Sequence, residues 1–452
     1  MENKPHDSER NFFEEMDLAL LESSAPVAEL LSEGLKLAMD DSLDEALELF
    51  EKATAGMPAS FHAWLCRGYT ELSLMMNDEA EASFLRAREL NPRDICVRYW
   101  LAHTHFLKDM VEEAVGEFQE IIAESPNFTD AYYDCGVCFQ IMGRYDDAMD
   151  VFLRRVAISP DFDTFVMLAM TCEFQQNLEK AAEFYAKALE MEPDNIMVIE
   201  SHGATCLELG RLEDAMSDFQ YALEIDPGSP DALYGRGHTF FQMEKIAEAK
   251  NDLHKVVELD PENALAWSML GQIMLYDGDY PQAIAFLNKA LEVDADILIY
   301  AFRGQAKMGM EDYDAAVLDF TLALEFEPEE PDYYYYRGMS YFTLDRYQEA
   351  VNDFNEAAKL DPDWDDYRVR GIAYSQLLMF EEAISDLTRA IRLTPDDLNL
   401  YLHRAEAYCA LEKSAEATRD IREAITLAEK QNDEALAARC RKFLKEIERM
   451  EE

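Results

Sequence analysis

Residues His62–Pro92 read HAWLCRGYTELSLMMNDEAEASFLRARELNP, and the stretch carries its own punctuation. A small residue, Gly68, is followed twelve positions later by Ala80, four further on by Phe84, and the run ends at Pro92, twenty-four residues after the glycine. Proline has no backbone N–H to give to a helix interior, so Pro92 marks a break. Between the marks the stretch reads as a first helix, a short turn and a second helix. An alternating strand pattern finds no support.

The same spacing runs along the chain, and a fixed period decides the fold before any single motif does. Pro58, Pro92, Pro126 and Pro160 are each 34 apart; Pro193, Pro227, Pro261, Pro328, Pro362 and Pro395 continue, with Ala295 in the one gap. Twenty-four residues before these marks stand Gly34, Gly68, Ala102, Gly136, Ala169, Gly203, Gly237, Gly271, Gly304, Gly338 and Gly371, with Ala405 in a last unit that lacks the proline. Such small residues let two helices approach closely. The facing place is always alanine, from Ala46 and Ala80 to Ala383 and Ala417. One helical turn beyond it comes a large residue, such as Phe50, Phe84, Phe118, Phe152, Tyr185, Phe219, Phe320 or Phe354, read as filling the space between units. Three units, those ending at Pro193, Pro328 and Pro395, are one residue short.

Twelve units in agreement resemble the tetratricopeptide repeat (TPR), as His62–Pro92 and Ala266–Asp294 illustrate, over roughly residues 27–430. The resemblance implies an all-α fold, a right-handed α-α superhelix of helix-turn-helix repeats, with first helices lining a concave groove. Stability then comes from packing between neighbours, and the ends need polar caps. Residues 431–452 suit a capping helix, with Leu436, Cys440, Phe443, Leu444 and Ile447 on one stripe. Residues 1–26 form an acidic N-terminal segment whose Phe12, Phe13, Met16 and Leu20 are spaced for an amphipathic helix, able to cap the first repeat or plug the groove.

In the family the second, fifth, ninth, twelfth and thirteenth places of the first helix face the groove. Here those places include the apolar or aromatic Leu65, Tyr69, Tyr99, Phe106, Tyr133, Phe174, Tyr234, Phe241, Tyr276, Tyr335 and Phe342, with His103 and His238. Acids are interleaved, among them Asp130, Asp163, Glu200 and Asp231. Such a lining predicts a protein partner that offers an extended or helical segment, partly apolar and basic. The alternative use of the same places is packing against the next repeat; the four successive residues Tyr333–Tyr336 point all round a helix and cannot all face a groove. No ninth place holds the asparagine of members that clamp chaperone C-termini, and no sixth-place asparagine ladder of the sugar-transferring members is present.

Charge narrows the partner further. The chain has 452 residues with 93 acidic and 40 basic side chains, net −53. Residues 364–452 hold 19 acids and 14 bases, net −5, so −48 falls on the first 363. A field this negative repels phosphate backbones and anionic lipid, which excludes nucleic acid and membranes as expected partners. Solvated helix faces account for such acidity as simply as a basic client does. The hydrophilic Met1–Arg10 and the lack of a long apolar run predict a cytoplasmic protein.

The search for chemistry returns little. Eight scattered cysteines read as reduced, small apolar side chains. Cys135 and Cys138 flank Gly136 on a packing face, away from the helix start that activates a redox pair. Cys96, Tyr99 and His103 share one face but lack a fourth ligand. No cofactor, metal or catalytic constellation is expected, and acid pairs such as Glu112–Glu113 sit where they complement a helix dipole. The reading is a non-catalytic scaffold or adaptor; the alternative is a chaperone that shields basic, aggregation-prone clients.

Overall fold

A computed structural model describes residues 25–294, 297–361, 366–431 and 433–451. The proposed N-terminal helix around Phe12–Leu20 lies outside them. Among the described residues every regular element is a helix: twelve pairs, from Ala25–Met39 with Leu43–Gly56 to Leu398–Ala410 with Ser414–Lys430, followed by Glu434–Glu451. We number the pairs as repeats one to twelve. The chain divides into two compact units, Met1–Gly235 and Arg236–Glu452.

Local chemistry explains the boundaries. Side chains of Ser60, Asp94, Asp161, Asn195 and Asn263 accept from the backbone N–H three residues on, capping the first helices of their repeats. Acid pairs occupy the first turn of second helices, as at Glu112–Glu113, Asp146–Asp147 and Glu381–Glu382. The carbonyl of the lattice proline also acquires a donor: Trp64, Tyr132, Trp267, Tyr334 and Tyr401 each reach back six residues to Pro58, Pro126, Pro261, Pro328 and Pro395, at 3.0–3.2 Å.

The glycine places are notches for rings. A Cβ built on Gly136 would stand 2.4 Å from Cε1 of Phe152, and one on Gly68 2.8 Å from Phe84. Phe219 is held between two such notches, Gly203 of its own repeat and Gly235 of the next. Phe219 thus packs both inside its own pair and against the following repeat, a refinement of the between-units reading.

The turn inside each pair uses one left-handed residue in every repeat. Gly143, Gly210 and Gly278 hold it with φ between 69° and 77°, but nine other residues, including Met75 and Leu378, adopt φ near 60° there. Leu378 has φ 61° and is 74% exposed, so its side chain gains little from the place it occupies. We expect Leu378→Gly to raise stability by about 0.5–1 kcal/mol, the relief of left-handed strain less the backbone entropy of glycine. Urea unfolding that shows no gain would contradict the strain account.

First helices of successive repeats also touch one another in both units, for example Phe61–Ser73 with Ile95–Leu107 and Ala264–Tyr276 with Ile297–Gly309. The more extensive contacts of second helices run only to their immediate chain neighbours. Within each unit the stack therefore bends with first helices on its inner side. The last helix buries Ala437, Cys440 and Ile447 against the twelfth repeat and leaves Arg439, Arg441, Lys442, Lys445 and Glu446 exposed.

Candidate functional site

The groove places expected from the sequence lie on first helices, and the structure divides their side chains into two groups. Leu65, Tyr69 and Tyr99 are only 2%, 3% and 5% exposed. They belong to the core between repeats and are withdrawn from any contact surface, because the inner bend presses their places against the adjacent repeat. Tyr69 and Tyr99 close on Trp100 at 4.9 and 5.0 Å between ring centroids. The packing use of these places therefore wins in repeats two and three.

The remaining residues keep access to solvent. His103 and Phe106 are half-buried, with His103 Nδ1 3.3 Å from Asp134 Oδ2. Tyr133 lies under the Arg155 guanidinium at 5.0 Å, and burial pushes its phenol up to about 12. Asp130 is partly exposed, while Asp163 and Asp231 are exposed. Glu200 accepts from Ser229 Oγ at 2.5 Å, and burial holds its carboxyl above the usual range. In the second unit His238 and Phe241 are half-buried, and burial lowers His238 below its ordinary value. Half-buried Tyr234, whose phenol burial raises, ends the first unit. Phe241 meets Tyr276 edge-on at 6.5 Å, and Tyr276 is 71% exposed. Phe342 packs against Tyr347 at 5.6 Å.

The tyrosine run resolves into four roles. Tyr333 is buried, Tyr334 bonds Pro328, Tyr336 stacks on Phe320 at 5.6 Å, and Tyr335 donates to Asp366 Oδ2 at 2.8 Å. Beside Tyr335 opens a hollow of about 450 Å³ whose described lining includes Asp332, Asp361, Asp366, Arg368 and Asp397.

Sequence reasoning missed part of the exposed apolar surface. Met197, Leu265 and Leu298 stand exposed at the second place, and Leu107 and Ile141 join the expected Phe174 at the thirteenth. A second exposed set, Ile158, Met191, Ile225, Leu259, Val293, Phe326 and Leu393, closes the second helices. The available signal was a large apolar residue two positions before most of the lattice marks.

Also missed was a clamp buried between the two helices of a pair. Arg236, Arg303, Arg337, Arg370 and Arg404 each donate through Nε and Nη2 to both carboxylate oxygens of the aspartate 16 residues on, at 2.6–3.0 Å. The fixed spacing was legible, but charge was read as surface. Repeat six replaces the arginine by His202, whose Nδ1 lies 2.7 Å from Asp218 Oδ2.

The bond to Asp218, then that to Cys206, raises the His202 imidazole to about 9 from 6.5. Because the folded value is the higher, the stabilisation is complete below about pH 6.5 and lost as pH rises through about 9. The shift corresponds to at most about 3 kcal/mol. Stability measured by urea unfolding should fall between pH 6.5 and 10 in the wild type, and by less in His202→Arg, whose guanidinium stays charged. Equal losses would remove His202 from the pH response.

Fold and repeat register together define a helical-repeat protein of the interaction-scaffold type. Part of the chain matches models of tetratricopeptide repeats. Residues 165–302 match the middle TPR-like domain of cilia and flagella-associated protein 70, and residues 298–330 and 331–364 match tetratricopeptide repeats. Tetratricopeptide repeat protein 37 of Xenopus laevis is 28% identical over 149 residues, 33% of this chain and 8% of that one. BBSome complex member BBS4 of Bos taurus is 26% identical over 110 residues, 24% of this chain and 21% of its own. The matches thus span a small part of either relative. Among solved structures, the APC/C hetero-tetramer Cut9–Hcn1 has a chain 16% identical with a TM-score of 0.45, covering 96% of this chain and 98% of that one. Among the described residues no helix is long and apolar enough to cross a membrane.

Proposed function

We propose that the protein is a non-catalytic scaffold that holds a partly apolar, basic protein segment along the inner face of its first helices. One observation carries the reading: at the second place exposed or partly exposed acids, Asp130, Asp163, Asp231 and Asp332, share the register with exposed apolar Met197, Leu265 and Leu298. Apolar anchors supply binding energy and carboxylates set approach and orientation. The aspartate-lined hollow beside Tyr335 suits a cationic side chain of such a segment. Nucleic acid and anionic lipid are disfavoured by the same charge.

Fluorescence anisotropy of the full chain against peptide pools tests the proposal. Basic-apolar peptides should bind and acidic-apolar ones should not. Raising salt from about 0.1 to about 1 M shortens the Debye length from roughly 10 to roughly 3 Å and should weaken binding about tenfold or more. Phe174→Asp and Tyr276→Ala, both at exposed places, should each weaken binding about tenfold. Acidic peptides that bind as well, or salt-insensitive binding, would discard the basic-segment reading.

A further inference from the structure

In five repeats the place beneath the first helix holds a guanidinium facing an aspartate, a permanent cation against a fixed anion. Repeat six departs twice. His202 stands where those repeats have arginine, and the residue one turn on, Phe240, Lys307, Tyr341, Tyr374 or Tyr408 elsewhere, is Cys206. The permanent cation is gone, and a nitrogen, a sulfur and an oxygen donor converge in its place.

We propose that His202, Cys206 and Asp218 form a binding site for a zinc-type divalent cation. His202 and Cys206 are one turn apart on the helix Ile196–Glu208, and Asp218 comes from the facing helix Leu212–Ile225, so two rigid elements carry the donors. Cys206 Sγ lies 3.7 Å from His202 Nε2, and one donor atom of each residue stands within 4.8 Å of the other two. Tetrahedral zinc, with bonds of about 2.0–2.3 Å, sets its donors about 3.5 Å apart, so seating the ion requires contraction of about 1 Å. The mixed set of imidazole, thiolate and carboxylate matches the borderline softness of zinc. The thiol is fully buried, while the His202 and Asp218 side chains keep 13% and 20% exposure, which leaves a way in for the ion and a water in the fourth position.

Binding exchanges the His202–Asp218 hydrogen bond for coordinate bonds. Two protons leave to solvent, one from the imidazolium and one from the thiol, and the dication takes up the charge they carried. Affinity therefore falls as pH is lowered. The bound ion keeps a cation against Asp218, as arginine does against its aspartate in the sister repeats.

Cobalt(II) is the probe, titrated into the full chain under reducing conditions and displaced by zinc. Carboxylates on the acidic surface bind cobalt without sulfur, so the thiolate-to-cobalt charge-transfer band reports the site alone. One equivalent should develop the band. Cys206→Ser should lose it, and so should His202→Arg, which rebuilds the guanidinium–carboxylate pair of the sister repeats and so keeps the fold. Asp218→Asn should weaken binding about tenfold or more. Cys135→Ser/Cys138→Ser should retain the band. A wild-type chain without it, or a band that survives Cys206→Ser, overturns the proposal, and neither result bears on partner binding.

Discussion

Phe152→Ala is expected to cost about 3–5 kcal/mol, the range for truncating a fully buried ring. The ring is fully buried over Gly136, whose missing Cβ leaves the room it occupies, and Tyr133 covers it at 6.2 Å. Truncation opens a cavity that rigid helices on both sides cannot close. Filling the notch from below is the reciprocal test. Gly136→Val drives a branched side chain into the ring and should cost several kcal/mol, beyond the ordinary range for overpacking. Gly136→Ala should cost less, since the sister repeat already sets Ala102 against Phe118 at full burial. Urea unfolding followed by far-ultraviolet dichroism checks all three. A loss below about 1 kcal/mol for Phe152→Ala would mean that the ring is not what joins the pair.

Arg337→Ala is expected to cost about 3–5 kcal/mol, by a different mechanism. Both oxygens of Asp353 accept from Arg337 at 2.8 Å, and Arg337 Nη1 also donates to Thr321 Oγ1 at 3.2 Å. Burial raises the Asp353 carboxyl above its ordinary value, and the guanidinium pulls the other way. Without Arg337 the raising effect stands alone. The folded value then lies further above the unfolded one, so the variant keeps stability below the unfolded value and loses it as pH rises through the folded value. The defect should therefore be smaller near pH 4 than at pH 7. Replacing both partners, Arg337→Met with Asp353→Leu, should recover most of the loss, because no charge is then stranded. A double variant as unstable as Arg337→Ala would refute this account.

The features legible in the sequence were those tied to the period. The proline lattice, the notch at Gly68 or Gly136 and the alanine opposite predicted where helices begin, end and cross. The inner-face residues were less legible, for a geometric reason. A place such as that of Tyr99 lies on the side of the helix that faces both the bend and the next repeat, and the tightness of the bend decides which contact it makes. Tyr276, the last residue of its helix, escapes that competition. The left-handed turn was hidden because Leu378 and Met75 occupy it without the glycine that would have signalled it. The clamp was overlooked although Arg337 and Asp353 repeat the spacing of Arg303 and Asp319, because a charged pair in an acidic chain reads as surface. His202, Cys206 and Asp218 stand in that same frame and share its concealment.

Contacts in each unit run from a helix to its next neighbour or the one beyond, so the residues that must meet are rarely more than one or two repeats apart in the chain. The distance a segment must search is set by the repeat and not by the 452-residue length. Loop-closure entropy then stays small at every step, which favours fast folding for so long a polypeptide. It also lets each pair settle on its predecessor during synthesis, before later repeats exist. A chain assembled in this order has little need to leave large apolar surfaces waiting for a distant partner strand.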